Sequence, residues 1–315
     1  MKLKINSPIV RILGSIVLLG LLAYQIDMAA FYRSLREISP EWIFFTILLG
    51  VALMLFNAFR WSFLVDRQLG IPFKVFVQLT FFSSYAGLFL PGTIGAEAIR
   101  VGGLARESSL AVATASVIVD RLMSLMSQFI LALVALAFVA DSTNSDLRLW
   151  ASGGVLVMLL GAGMIMNRRM RAAILKLIYW PRLQIVRDQV EKFFNALDTY
   201  RNGKVIRIAL VLAFLLQIFR GIFLWACASA IGANISVVMF LVALPMVSLI
   251  EIVPISMAGV GPREAAFSFV LAQFGIPPEQ SVTASLIAFI TGTVIASAIG
   301  FFAISLMGYK IHKSK

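Results

Sequence analysis

Charged residues stand inside apolar runs that are long enough to cross a bilayer. Asp120 and Arg121 lie side by side within the run from Leu110 to Ala140, and Arg220 interrupts the run from Ile206 to Ile231. Both runs exceed the ~20 residues that a spanning helix requires. At that depth only helices or closed barrels satisfy their own backbone groups. An ionisable side chain in hydrocarbon costs roughly 2.5–3.5 kcal/mol even on insertion scales, so it persists where it has a partner, a wet cavity or a task. The sequence therefore predicts a polar path within the membrane.

Composition sets the rest of the architecture. Hydrophobic residues make up 60% of the 315 residues, charged residues 13%, and the mean hydropathy is +0.95. These values describe an all-α polytopic membrane protein, with residues 1–315 forming a single integral domain of about eight membrane segments. No soluble catalytic domain is left over. Cys227 lies alone in an apolar run and His312 lies alone in the basic tail, so neither an intrachain disulfide nor a His/Cys metal centre is expected. No nucleotide-binding loop is present, and no cofactor is expected.

The net charge of +12 is concentrated rather than spread. Arg168, Arg169, Arg171, Lys176, Arg182, Arg187, Lys192, Arg201, Lys204 and Arg207 fall in one segment, against Asp188, Glu191 and Asp198. They are not interleaved with aromatics on a folded face, which argues against nucleic acid. The positive-inside rule makes 167–207 a basic cytoplasmic segment. Leu183, Val186, Val190, Phe193 and Leu197 recur every three or four residues, the pattern of an amphipathic helix. Two readings stay open: it lies on the inner leaflet with Arg182, Arg187 and Lys192 toward anionic headgroups, or it docks a partner.

Charge bias along the chain also orders the spans. Lys2, Lys4 and Arg11 precede Ile12 to Ile26 in a segment that resembles a signal peptide in outline, without a small-x-small cleavage site. It reads as a retained first helix at about 9–26. Further spans follow at about 41–65, 110–140, 150–166, 206–231 and 281–307, with the acidic loop 141–146 outside and both termini in the cytoplasm, given Lys310, Lys313 and Lys315. Full spans alone leave the parity wrong, so something enters and leaves by one side. Two stretches qualify: Phe73 to Leu90 before Pro91-Gly92-Thr93-Ile94-Gly95, and Val237 to Val253 before Pro254, Gly259 and Gly261. Two Pro/Gly-broken re-entrant elements of opposite orientation fit an inverted repeat, in which discontinuous helices form the site near the midplane. The alternative is a pair of ordinary kinked spans whose charges lie in loops.

The charges near these breaks are the candidate binding residues. Glu97 and Arg100 are three apart, so a helix starting after Gly95 puts them on one face as a pair. Such a pair either opens to a phosphate or remains a structural bridge beside a tight turn. Gly92 and Gly95 would let backbone N–H groups approach an anion. Past the second break, Arg263 and Glu264 are adjacent and so point apart on a helix, each needing its own partner, while Glu251 ends the preceding apolar segment. For Arg121 the candidate partners are Glu97, Glu251 and Glu264, and for Asp120 they are Arg100 and Arg220. Arg60, beside Trp61, either snorkels to an interface or contacts a headgroup. Ala284, Ala288, Gly292, Ala296 and Gly300 form a small-residue stripe that permits close helix packing.

Three ordered motifs carry a family resemblance: Leu90-Pro91-Gly92-x-x-Gly95-x-Glu97-x-x-Arg100, then Val119-Asp120-Arg121-Leu122, then Pro254-Ile255-Ser256-x-Ala258-Gly259-x-Gly261-x-Arg263-Glu264-Ala265. Together with Arg60-Trp61 they make the chain resemble the lysylphosphatidylglycerol synthase transmembrane-region family, flippase-like proteins whose best-known member is the multiple peptide resistance factor. The resemblance covers essentially the whole chain. It implies a protein of the cytoplasmic (inner) membrane that moves or binds a lipid with a charged headgroup, an anionic phospholipid or a polyprenyl-phosphate-type lipid. The chain is expected to lack the family's synthase domain, since it ends at Lys315. Transport as a flippase or scramblase is then the leading expectation, with Arg60, Arg100, Arg121 and Arg263 on phosphate and Glu97, Asp120 and Glu264 balancing them. The rivals are a non-catalytic partner of a cytoplasmic lipid-modifying enzyme, and an intramembrane enzyme using Asp120 or Glu97 as a base. A homo-oligomer is a further expectation.

Overall fold

A computed structural model describes residues 20, 24, 27–36, 38–65, 69–90, 92–138, 145–167, 169, 184–198, 203–252 and 256–306. The first span expected at about 9–26, Pro91, Pro254, most of 168–183 and the basic tail lie outside the described residues. The described elements are α1 (Met28–Arg36), α2 (Pro40–Leu64), α3 (Phe73–Gly87), α4 (Gly92–Leu104), α5 (Leu110–Phe138), α6 (Ser145–Met166), α7 (Gln184–Asp198), α8 (Gly203–Ser229), α9 (Val237–Ile252), α10 (Pro262–Ala272), α11 (Pro278–Ala288) and α12 (Ala296–Leu306). A π-helical segment, Phe289–Ile295, joins α11 to α12.

Among the described residues, four helices are long and apolar enough to cross a membrane: Pro40–Leu64, Leu110–Phe138, Val205–Ser229 and the continuous Pro278–Ser305. Their ends follow the sequence expectation closely. Pro40 opens α2 at a position where its missing N–H would have had no intrahelical partner. Helix α6 starts at Ser145, earlier than expected, because the first turn takes in Asp146 and Leu147, and Leu147 is buried. Helix α5 is the hub and packs against α2, α4, α6, α7, α8 and α9. One apolar cluster joins Ala132, Ala135 and Leu136 of α5 to α6, α8, α9, α10 and α11; another joins Ala58 and Trp61 of α2 to Phe76, Leu79, Leu104 and Val117.

Between these long helices sit two pairs of short ones. Helix α3 has 15 residues and α4 has 13. At 1.5 Å per residue they span roughly 22 and 20 Å, less than the ~30 Å of a hydrocarbon core. They run antiparallel: a Cβ at Gly87 would stand 2.9 Å from the Ala96 Cβ, and one at Gly103 would collide with Leu79. Helix α4 begins at Gly92 rather than after Gly95. Helices α9 and α10, of 16 and 11 residues, form the second pair. Their connection reverses through left-handed backbone at Ala258 (φ 51°), Gly259 (φ 75°) and Gly261 (φ 96°). Glycine takes that conformation without the Cβ clash of other residues.

The small-residue stripe on α11–α12 is used for close packing. A Cβ on Gly50 of α2 would lie 2.7 Å from the Gly292 Cα, so these two backbones touch directly. Helix α7 departs from its leaflet-facing reading. Phe194 and Leu197 are buried against Leu64, Val119, Met123, Ala209 and Ala213, with Val190 and Phe193 packed beside them. The described part of the apolar stripe, from Val190 to Leu197, is occupied by protein, while Asp188, Glu191 and Lys192 face outward. Helix α1 was not foreseen; its signal is Asp27, whose carboxylate accepts the Ala29 N–H at 2.9 Å as an N-cap.

Candidate functional site

Asp120 and Arg121 are the eleventh and twelfth residues of the 29-residue α5, so they project from its middle about 100° apart. That divergence sends them to different partners. Asp120 receives two arginines: Arg60 of α2 at 2.8 Å and Arg100 of α4 at 3.4 Å. Arg121 faces the two short-helix pairs. It lies 3.5 Å from Glu97, its Nη2 donates to the Ser248 carbonyl near the end of α9 at 3.2 Å, and it reaches Thr93 at the start of α4 at 3.5 Å. One side chain thus bridges both breaks.

The Arg60-Trp61 dipeptide has a physical reading. Arg60 is 2% exposed, so it neither snorkels nor reaches an interface. It turns inward because Asp120 offers a counter-charge there, and Asn57 Oδ1 accepts from its Nη2 at 3.3 Å. Trp61, fully buried, donates its indole N–H to Ser116 at 3.2 Å and places its ring 4.0 Å from the Arg100 guanidinium carbon. A cation over an indole face is attracted to it. The adjacent residues therefore serve different partners, Arg60 the Asp120 carboxylate and Trp61 the Arg100 guanidinium.

Past the second break, Arg263 and Glu264 pair with each other, against the expectation of separate partners. Arg263 Nε donates to Glu264 Oε1 at 2.9 Å, and Ser285 donates to the same oxygen at 3.1 Å. The other Glu264 oxygen accepts the Gly261 N–H at 2.7 Å. Both side chains sit in the first turn of α10, where free backbone donors attract a carboxylate and the long arginine folds back over it. The guanidinium also lies 4.4 Å from the Phe289 ring, at the start of the π segment. Arg220 and Glu251 approach to only 4.0 Å. Glu97 and Arg100 likewise do not serve each other: both turn to α5, whose buried charges outweigh a same-face pairing.

These groups enclose a cavity of about 320 Å³. Arg60, Glu97, Arg100, Asp120, Arg121, Arg220, Glu251 and Arg263 line it, and Glu264 stands behind Arg263. Five guanidiniums thus meet four carboxylates. Gly95, Gly259 and Gly261 are not in the wall; a Cβ at Gly95 would strike Leu90, and one at Gly259 would crowd Glu251. Arg60 Nε and Nη1, Arg100 Nε and the Thr80 hydroxyl are buried with no hydrogen-bond partner among the described residues. Buried donors are almost always satisfied, so these call for water or anionic oxygens. Among the described residues no group of three His, Cys, Asp or Glu side chains could hold a metal.

Comparison with known families decides the identity: the lysylphosphatidylglycerol synthase TM region matches residues 9–300. The chain belongs to that family. It is a multi-pass membrane protein related to lipid handling. No curated protein and no solved structure gave a significant match. Each of the three family-like motifs contributes charge to one cavity wall: Glu97 and Arg100, Asp120 and Arg121, and Arg263. The uncharged polar lining was missed in the sequence: Asn57, Thr80, Ser124, Gln128, Gln217 and Ser248. Asp120, Ser124 and Gln128 do repeat at a spacing of four, a polar face on α5 that was there to be read.

Proposed function

We propose that this protein is a lipid flippase or scramblase, and that the cavity carries a phosphate-containing headgroup across the cytoplasmic membrane while the tails stay in the bilayer. The observation that carries the reading is the excess of guanidinium over carboxylate around the cavity, together with the unpartnered donors of Arg60 and Arg100. A phosphate offers the oxygens that planar guanidiniums bind in pairs. A bare charged headgroup in hydrocarbon would cost tens of kcal/mol by Born solvation. Fixed charges and dipoles in the cavity replace the lost water and lower that barrier. The two short-helix pairs serve as re-entrant elements whose breaks approach Arg121 from opposite parts of the chain. Glu97 and Glu251 keep their arginines from holding the lipid permanently, since each pairs at 3.5 Å or more and gives way to a phosphate.

The test is a fluorescent-lipid flip assay in proteoliposomes, read by dithionite accessibility. Phosphate-bearing headgroups are expected to cross faster with the protein, and Arg121→Ala is expected to remove the acceleration. No acceleration for any headgroup, with folded protein confirmed, would sink passive flipping.

A further inference from the structure

An open apolar groove lies on the outer face of the same wall, lined by Leu55, Phe56, Phe59, Phe73, Leu215 and Phe219 together with Ala52. It belongs to the α2–α8 seam. On α2, Leu55, Phe56 and Phe59 lie on the side roughly opposite to Leu53, Asn57 and Arg60, which face the charged cavity. The register across the seam is telling. Phe56 and Phe219 meet edge to face at 6.5 Å in the outer groove, and their immediate neighbours Asn57 and Arg220 line the inner cavity. A single layer of side chains separates an aromatic trough from the guanidiniums. Elsewhere the seam is tight, with Trp42 against Trp225 at 5.6 Å.

Resting on the headgroup reading above, we infer that the α2–α8 seam at Phe56–Phe219 is the lateral portal, and that the groove beds an acyl chain of an anionic phospholipid whose phosphate reaches Arg220. Two features select this occupant. The groove runs beside a cavity that carries surplus positive charge, with Phe219 on one and its neighbour Arg220 on the other, and it is apolar enough to hold a chain but offers nothing to a headgroup. Arg220 suits the receiving role: its side chain is 37% exposed and its partner Glu251 stands 4.0 Å away.

The experiment uses two photoactivatable probes with the same diazirine-bearing chain, a phosphatidylglycerol and a diacylglycerol, in proteoliposomes of the full chain, with adducts mapped by peptide mass spectrometry. The portal predicts that the phosphatidylglycerol probe labels the groove residues several-fold above the diacylglycerol probe. It also predicts that exposed Leu156 and Leu159 of α6 are labelled equally by both, and that Arg220→Gln removes the groove's excess. Phosphate-dependent labelling that maps to another seam overturns the portal and leaves the headgroup reading standing. Absence of phosphate-dependent labelling anywhere overturns both. Protection of the groove from both probes by a second copy, seen as a dimer in native mass spectrometry, overturns the portal.

Discussion

The Asp120 carboxylate lies 2.8 Å from the Arg60 guanidinium, with the two side chains 5% and 2% exposed, and Arg100 shares the same carboxylate from the other side. One anion thus faces two buried cations and leaves the cluster with a net positive charge. Removing one partner of a buried pair typically costs ~3–5 kcal/mol, because the survivor stays desolvated and unpaired. Asp120→Asn is therefore expected to lower the thermal midpoint of the purified protein sharply, and Arg60→Gln added to it is expected to recover part of the loss. An unchanged midpoint with lost transport would instead assign Asp120 to the lipid.

Glu97 and Arg121 behave differently because they are 29% and 27% exposed and stand 3.5 Å apart. Ion pairs open to solvent contribute about 0–1 kcal/mol. Glu97→Gln is expected to leave the thermal midpoint nearly unchanged while altering lipid flipping, since it frees Arg121 to hold a phosphate. A stability loss as large as that of Asp120→Asn would show the pair to be a structural clamp.

The sequence reveals the charges and brackets their pairing without choosing: Arg100 is one of two candidates for Asp120 and Glu97 one of three for Arg121, while Arg60 is in neither set. Asp120 and Arg121 were visible because a charge in an apolar run is costly wherever it points. The family-like motifs supply Glu97, Arg100 and Arg263, Arg220 shows in the same way as Asp120, and Glu251 stands at the end of an apolar segment. Partner choice depended on helix packing, which a spacing rule does not contain: the Glu97–Arg100 rule holds for a solvated helix face, and this face is covered by α5. Arg60 stays open between snorkelling and a headgroup contact because the end of a span cannot be told, from sequence, to be enclosed by Phe76 and Val117. The π segment was invisible, since the four-residue spacing of Ala284, Ala288, Gly292 and Ala296 runs straight through it.

Contact between Gly50 and Gly292 makes a second stability test. With a hypothetical Cβ only 2.7 Å from the facing Cα, Gly50→Val forces α2 away from the π segment. Overpacking of this kind costs ~1–3 kcal/mol, and the cavity, which both glycines line, is deformed with it. Gly161 of α6 is the control, since a Cβ there meets nothing within 4 Å. Gly161→Ala is expected to be neutral or to stabilise by about 0.5–1 kcal/mol, because glycine is the poorer helix residue. Thermal unfolding of both variants in one detergent decides it, and equal effects would remove the close-packing argument.

Helix α7 gives the last prediction, because its amphipathic pattern fits a leaflet and a protein face equally well. The structure buries Leu197 to 5% exposure and Phe194 to 8%, against Val119 and Met123 of α5 and Ala209 and Ala213 of α8. If those contacts hold α7, Leu197→Ala removes a packed side chain and costs ~2–5 kcal/mol, the range for such a deletion in a core. The thermal midpoint is expected to fall with no lipid present beyond the detergent. Lys192→Ala on the outward face is expected to leave it unchanged. Val119 and Met123 sit on the same helix as Asp120 and Arg121, so the Leu197 variant is also expected to disturb flipping through the placement of α5. Unchanged stability for Leu197→Ala, with weakened adhesion of the chain to anionic vesicles, would return α7 to the inner leaflet.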